Sequence, residues 1–260
     1  MLQDSKELVG MTIKASDGDI GHVRELYFDD EAWVLRYLVV ETGAWLLHRK
    51  VLVSPIAMGK PNWLLRTLHA RLTREQVRNS PGIDTGKSMS RQHELEFYRY
   101  YGYPYYWGYR GLWATERLAC EPTQCPENDP QLRSCKSVTG YHIHAVDGDI
   151  GHVKGMLFDE ESSAIRYLIV NTSNWWRGHQ VLIAPESIAD VSWPNRRVVV
   201  QLTRQAIRQA VPCDQALLPD RQGETLVYEH YGHDRVWQND SLSSISPRAS
   251  PADAHRVERG

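Results

Sequence analysis

Runs of apolar residues along the first part of the chain predict a series of short β-strands. The run from Trp33 to Glu41 is almost continuously apolar, which is typical of a strand buried on both sides or closed into a barrel. Shorter runs rich in β-branched and aromatic residues predict further strands at residues 11–15, 21–29, 50–54 and 63–72. Asp17-Gly18, between the first two strands, indicates a two-residue hairpin turn. The pattern therefore predicts a mainly β fold.

A short helix is predicted to follow the last of these strands. Thr73 has the side chain of a helix N-cap, and Gln76 stands where a capping box places its second member. Thr203 opens an equivalent helix over residues 204–210. The same local signal therefore occurs in two places.

The two places are related by an ungapped internal repeat. A shift of 130 positions places Gly10 on Gly140 and brings the block DGDIGHV, which begins at Asp17, onto the identical block that begins at Asp147. The match continues beyond the strands, where Glu94, Tyr98, Tyr101 and Trp107 fall on Glu224, Tyr228, Tyr231 and Trp237. Two long copies predict two side-by-side modules rather than a solenoid of short repeats.

The repeat predicts the domain organisation. The predicted units are a first barrel at 8–80, an aromatic tail segment and linker at 81–137, a second barrel at 138–211, a second tail segment at 212–238, and a C-terminus at 239–260. The last of these is rich in Ser and without periodicity, so it is predicted to be disordered.

Four motifs, each present twice, resemble the PRC-barrel family over residues 8–80 and 138–211. They are the G-x6-DG-x-IGxV start, the FDD/FDEE turn, the RYLVV/RYLIV strand and the VLVSP/VLIAP strand. The resemblance implies two small PRC-type β-barrels in tandem, each followed by a short helix and an aromatic tail. The family includes the cytoplasmic part of the photosynthetic reaction centre H subunit and the C-terminal domain of the ribosome maturation factor RimM. In both, the barrel is implied to bind and assemble other molecules rather than to catalyse a reaction.

Composition and charge narrow the class of partner. The net charge is −2, so no summed positive field favours nucleic acid. No stretch approaches the roughly 20 apolar residues that a membrane-spanning helix needs, and residues 1–7 do not read as a signal peptide. We therefore expect a cytoplasmic protein without a membrane span.

The cysteines do not have the spacing of a metal site. Cys120, Cys125 and Cys135 lie close together, with Cys213 well downstream, and paired C-x2-C knuckles are absent. A disulfide is the second possibility, although an intracellular compartment would keep the thiols reduced. We interpret them as linker cysteines.

Arg36, in the middle of a predicted strand, is expected to form an ion pair with Asp29 or Glu41.

The repeated turn groups carboxylates with an imidazole and is a weak candidate for a metal or acid–base site. Its residues are Asp17, Asp19 and His22 in the first copy, and Asp147, Asp149 and His152 in the second. The alternative is structural, because Asp and Gly serve the backbone of a hairpin turn. We favour the structural interpretation and predict no metal, no cofactor and no catalytic residue.

The aromatic segments are the candidate interaction surface. The first copy contributes Tyr98, Tyr100, Tyr101, Tyr103, Tyr105, Tyr106, Trp107, Tyr109 and Trp113, and the second contributes Tyr228, Tyr231 and Trp237. The rings shared by both copies are expected to anchor each tail to a barrel. The extra rings of the first copy suit an interface, because Tyr and Trp are enriched there. Stacking of single-stranded nucleic acid is the less favoured use, for want of basic surroundings.

These observations favour a non-catalytic adaptor or assembly protein that binds a protein partner or a second copy of itself. Three alternatives remain open. They are a ribosome or RNA assembly factor by analogy with RimM, a photosynthesis-associated electron-transfer accessory protein by analogy with the H subunit, and a metal-dependent enzyme that uses the Asp/His turn. No phosphate-binding loop, dinucleotide fingerprint or hydrolase motif is present to favour a common enzyme class.

Overall fold

The computed structural model describes residues 1–82, 91–103, 132–172 and 179–210, and this part of the chain is mainly β. The elements of the first copy are β1 (Leu2–Asp4), α1 (Ser5–Leu8), β2 (Thr12–Ala15), β3 (Gly18–Asp29), β4 (Val34–Thr42), β5 (Lys50–Val53), β6 (Thr67–His69), α2 (Arg74–Asn79) and α3 (Arg91–Tyr101). Those of the second copy are β7 (Leu132–Ser134), α4 (Cys135–Val138), β8 (His142–Ala145), β9 (Gly148–Asp159), β10 (Ile165–Asn171), β11 (Gln180–Ile183), β12 (Ile188–Ser192), β13 (Arg197–Val200) and α5 (Arg204–Gln209). The predicted tail at 212–238 and C-terminus at 239–260 lie outside the described residues.

Each copy of the repeat forms its own sheet. The first has the strand order β5-β4-β3-β2-β6, and the second has the order β11-β10-β9-β8-β13-β12. Neighbours along these orders are antiparallel except for β2 with β6 and β8 with β13, which are parallel. The two sheets therefore repeat the same topology, as the sequence repeat requires.

The two copies exchange their first strands. β1 precedes the first module but pairs with β9 of the second sheet, with Leu2 opposite Asp159. β7 precedes the second module but pairs with β3 of the first sheet, with Leu132 opposite Asp29. Each sheet is therefore completed by a strand from the other copy, so the two modules form one body.

A second set of contacts joins the sheets directly. The backbone N–H of Leu35 donates to the Ser163 carbonyl at 2.9 Å, and the N–H of Ile165 donates to the Trp33 carbonyl at 2.6 Å. Val34 and Ala164 pair between them as an antiparallel bridge. Buried apolar side chains of both modules belong to one continuous cluster. The shared core supplements what either small module could bury alone.

Two side-chain predictions from the sequence are confirmed. Thr73 caps α2 in a capping box with Gln76, whose side chain accepts from the Thr73 N–H at 2.8 Å. Arg36 is 1% exposed and forms an ion pair with Asp29, with 3.1 Å between Nη2 and Oδ2. Glu41, the other proposed partner, pairs with Arg24 on the surface.

Two local predictions need correction. Ala15 pairs with Gly18, so the two residues of the hairpin turn are Ser16 and Asp17 rather than Asp17-Gly18. Gly18 is instead the first residue of β3, with a positive φ of 139°. Cys135 is not a linker residue, since it is the first residue of α4 and lies buried in the shared core. Burial raises the pKa of its thiol, so it is an inert core side chain.

Within the described residues, none of the helices is long and apolar enough to cross a membrane.

A glycine in the same position of both modules lets β3 and β9 approach their neighbouring strands closely. A Cβ at Gly21 would lie 2.0 Å from the Glu41 carbonyl oxygen, and one at Gly151 would lie 1.9 Å from that of Asn171. These atoms belong to the backbone of the adjacent strand, so they cannot turn aside. The glycine of the repeated IGHV motif is therefore a packing requirement.

We expect Gly151→Ala to lower the free energy of unfolding by roughly 2–3 kcal/mol, the cost of overpacking a tight interior. Urea denaturation followed by circular dichroism measures the change. Gly59→Ala is the matched control, because its Cβ would make an ordinary contact at 3.7 Å with the His69 carbonyl oxygen. Equal effects of the two substitutions would contradict this account.

Candidate functional site

The first aspartate of the repeated turn supports the backbone of a helix in both copies. Oδ1 of Asp17 accepts from the N–H of Arg74, the first residue of α2, at 2.8 Å. Oδ1 of Asp147 accepts from the N–H of Arg204, the first residue of α5, also at 2.8 Å. A free N–H at the start of a helix needs such an acceptor. The geometry therefore favours the structural interpretation of these two residues.

The remaining polar residues of the turn are arranged differently in the two copies. His22 Nδ1 lies 3.3 Å from Oγ1 of Thr12, whereas Asp149 Oδ1 lies 2.7 Å from Nδ1 of His144. The hydrogen bond from His144 lowers the pKa of the Asp149 carboxyl. Asp19 is exposed, and His152 stands opposite His142 on the neighbouring strand. Across the described ranges, no three His, Cys, Asp or Glu side chains are grouped to hold a metal ion.

The aromatic helix α3 covers the outer face of the first sheet. Phe97 and Tyr98 are both 2% exposed and pack with Tyr37, Val39 and Leu52. The Tyr37 and Phe97 rings meet edge to face with their centroids 5.2 Å apart. Of these two rings Tyr98 is the one shared by both copies, and its packing against the sheet is the anchoring role expected of the shared rings.

A buried carboxylate fixes the position of α3. Glu94 is fully buried, and its Oε1 accepts from the hydroxyl of Tyr37 at 2.9 Å. Burial and the nearby Glu94 carboxylate raise the pKa of Tyr98 well above its usual range. A buried carboxylate requires such partners, so this hydrogen bond stabilises α3 in its position against the sheet.

The described aromatic residues are therefore divided between the interior and the surface. Tyr98 is buried within the chain and is not available to a partner, which corrects its assignment as an interface residue. Tyr101 and Tyr103 are partly buried and stack with 5.3 Å between their centroids. Tyr100 is 40% exposed. The other candidates, Tyr105, Tyr106, Trp107, Tyr109, Trp113, Tyr228, Tyr231 and Trp237, lie outside the described residues.

Two clefts lie between the modules, at equivalent positions of the repeat. The larger, of about 660 Å³, is lined by the 55–61 segment of the first module and by Phe158, Glu160 and Glu161 of the second. The smaller, of about 460 Å³, is lined by the equivalent segment at 185–191 and by Asp30 and Glu31 of the first module. We call them the apolar cleft and the acidic cleft.

The apolar cleft has a hydrophobic wall and a charged rim. Its apolar side chains include Leu35, Leu38, Ile56, Leu68 and Phe158. The charged residues that line it are Lys60, Arg71, Glu160 and Glu161. A concave apolar surface with a few polar groups at its edge is the usual form of a binding site.

The acidic cleft has aromatic walls and an excess of carboxylates. Trp33 and Trp193 line it together with the carboxylates of Asp30, Glu31 and Asp190. Among the described residues that line it, the one cationic side chain is Arg133 of β7, whose Nε donates to Oδ2 of Asp30 at 2.9 Å.

One substitution between the copies changes the contacts of the tryptophan beside each cleft. The exchanged strand carries Gln3 in the first copy and Arg133 in the second. Beside the apolar cleft, the indole N–H of Trp63 donates directly to Oε1 of Glu160 at 3.2 Å. At the equivalent place, the Arg133 guanidinium pairs with Asp30 and lies 4.2 Å from the centroid of the Trp193 ring.

The sequence alone did not identify these clefts. Trp63 and Trp193 are matched by the repeat, but they gave no sign of lying between the modules. The available signal was the set of positions at which the two copies differ in charge, such as Lys60 and Asp190.

Comparison of the chain with models of known protein families and with curated protein sequences finds no match.

Substitution of Asp147 tests the structural role of the repeated turn. We expect Asp147→Ala to lower the free energy of unfolding by about 1 kcal/mol, because a helix N–H loses its acceptor. Asp19→Ala, at an exposed position, is the control and should change stability little.

Titration with Zn²⁺ should give the same trace for the wild type and for His22→Ala/His152→Ala. A zinc signal lost in that double variant would support a metal site instead.

The tyrosines of α3 predict a loss of stability at alkaline pH. Burial raises the pKa of Tyr101 from 10.0 to about 12, so the folded protein favours the neutral phenol. This contribution is fully present below pH 10 and disappears as the pH rises through about 12. Urea denaturation between pH 9 and 12 should show a decline that is smaller in Tyr101→Phe. An identical decline in that variant would assign the effect to other groups.

Proposed function

We propose that this chain is a non-catalytic adaptor of the PRC-barrel kind, in which two small β-barrels act as one body. The repeated motifs that resemble this family support the proposal, as does the reciprocal exchange of β1 and β7. Two modules joined in this way present surfaces that neither has alone. In this proposal the protein acts in the cytoplasm and binds another protein or a second copy of itself.

The observation that carries the proposal is the apolar cleft. A volume of about 660 Å³, with the half-buried apolar residues Pro55, Met58 and Pro61 in its lining, can accept one or two apolar side chains of a protein partner. Lys60 and Arg71 with Glu160 and Glu161 form a rim of both charges, which suits the mixed charges of a protein surface. Burial of apolar side chains at the centre of such a site contributes most of the affinity of a protein interface.

Site-specific photo-crosslinking tests this docking surface. A benzoylphenylalanine placed at Met58, in the wall of the apolar cleft, should capture a defined partner from native extract, and excess unlabelled wild-type protein should compete. The same group at Ile188, the equivalent position of the acidic cleft, is the matched control and should not capture that partner. Capture of a second copy of the chain would support the self-association form of the proposal.

Charge reversal at the rim of the apolar cleft is a second test of the docking surface. Lys60→Glu/Arg71→Glu should reduce capture from Met58 by about tenfold or more, because like charges across an interface weaken binding strongly. Both side chains are exposed, so the fold should survive, which circular dichroism verifies. Failure to capture any competed partner, or equal capture from Met58 and Ile188, would overturn the proposal.

A further inference from the structure

In the acidic cleft, the cationic side chain of Arg133 is bound by an aromatic ring and a carboxylate of the same chain. The guanidinium of Arg133 lies over the Trp193 ring, with 4.2 Å from its central carbon to the ring centroid. Its Nε also donates to the carboxylate of Asp30 at 2.9 Å. A guanidinium between an indole face and a carboxylate is a favourable arrangement for this type of cation. The contact shows that an indole and a carboxylate of this cleft together bind a guanidinium.

The acidic cleft has enough volume and enough negative charge to bind a cation in addition to the Arg133 side chain. The space of about 460 Å³ remains with Arg133 in place, which is enough for an arginine-sized molecule. Three carboxylates line it against one guanidinium. Asp30 is engaged by Arg133, but within the described part of the chain neither Glu31 nor Asp190 forms an ion pair.

The two carboxylates come from different modules. Glu31 belongs to the first module, next to Trp33, whose ring stacks on Phe28 with centroids 5.3 Å apart. Asp190 belongs to β12 of the second module. A cation in the cleft would be attracted by both carboxylates, and the indole of Trp33 would line its position.

The equivalent positions around the apolar cleft differ. Asp190 is replaced there by Lys60, Trp33 by Ser163, and Arg133 by Gln3. The apolar cleft therefore combines cations and carboxylates, whereas the acidic cleft has a surplus of carboxylates. The two clefts therefore have equivalent backbone positions but different charged side chains.

We propose that the acidic cleft is a binding site for an organic cation of the guanidinium or alkylammonium class. The ligand lies between Glu31 and Asp190, beside Arg133 and against Trp33. The cation can be a free amine or the side chain of an arginine or lysine in another protein. This site does not depend on partner docking at the apolar cleft.

Isothermal titration of the full chain tests the site with small cations. N-acetyl-arginine amide should bind with a dissociation constant of about 1 mM or lower, as expected for a ligand of this size. N-acetyl-citrulline amide has the same shape without the charge and should not bind. Agmatine and a short peptide with a central arginine distinguish a free amine from a protein side chain. Tighter binding of one of them identifies the source.

Variants of the lining residues locate the site. Glu31→Gln/Asp190→Asn should weaken binding of N-acetyl-arginine amide by about fivefold, because two surface ion pairs are lost. Glu161→Gln, the equivalent of Glu31 in the apolar cleft, is the matched control and should leave the affinity unchanged. Arg133→Gln places the residue of the first copy at this position, so it removes a competing cation. It should tighten binding by about twofold to fivefold.

The direction of the Arg133→Gln effect distinguishes a binding site from a structural ion pair. A purely structural role would weaken or abolish binding when Arg133 is removed, whereas the proposal requires an increase. The thermal midpoint of each variant shows that the fold is retained. The proposal is overturned if the citrulline compound binds as well as the arginine compound, or if Glu31→Gln/Asp190→Asn leaves the affinity unchanged.

Discussion

The reciprocal exchange of β1 and β7 is the interaction on which the rest of the structure depends. Each strand is only three residues long, yet each completes the sheet of the other module. The exchange brings Leu35 and Ile165 close enough to form hydrogen bonds between the modules, and it merges the buried side chains into one core. Both clefts lie along this junction, so they exist only because the modules are joined.

The repeat places two clefts at equivalent positions of the backbone, and substitutions between the copies give each cleft different side chains. Residues that serve backbone geometry are the same in both copies. They are the glycine of the IGHV motif and the aspartate that accepts a hydrogen bond from the first N–H of α2 or α5. Side chains that line the clefts have diverged, as Lys60 and Asp190 illustrate. Duplication thus allows one site to change without loss of the other.

The aromatic helix α3 shows how a buried polar contact selects one packing arrangement. Apolar contacts of Phe97 and Tyr98 with the sheet are not directional and would permit several positions of the helix. The hydrogen bond from Tyr37 to the buried Glu94 is directional, so it favours the observed position. A ring such as Tyr98 therefore contributes to the fold, and its prominence in the sequence does not by itself indicate a binding surface.

Local and periodic features of this protein could be predicted from its sequence. The strands around the IGHV and RYL motifs and the capping box of Thr73 follow from patterns within a few neighbouring residues. An ion pair of Arg36 was also predicted, but only the structure decided between Asp29 and Glu41 as its partner. The repeat itself also indicated two equivalent sheets. The exchange of β1 and β7 could not be predicted, because a three-residue strand has no distinctive pattern and its partner lies far away along the chain. The clefts depend on that exchange, so only the tertiary structure decided that Trp33 and Trp193, or Lys60 and Glu160, line a common surface.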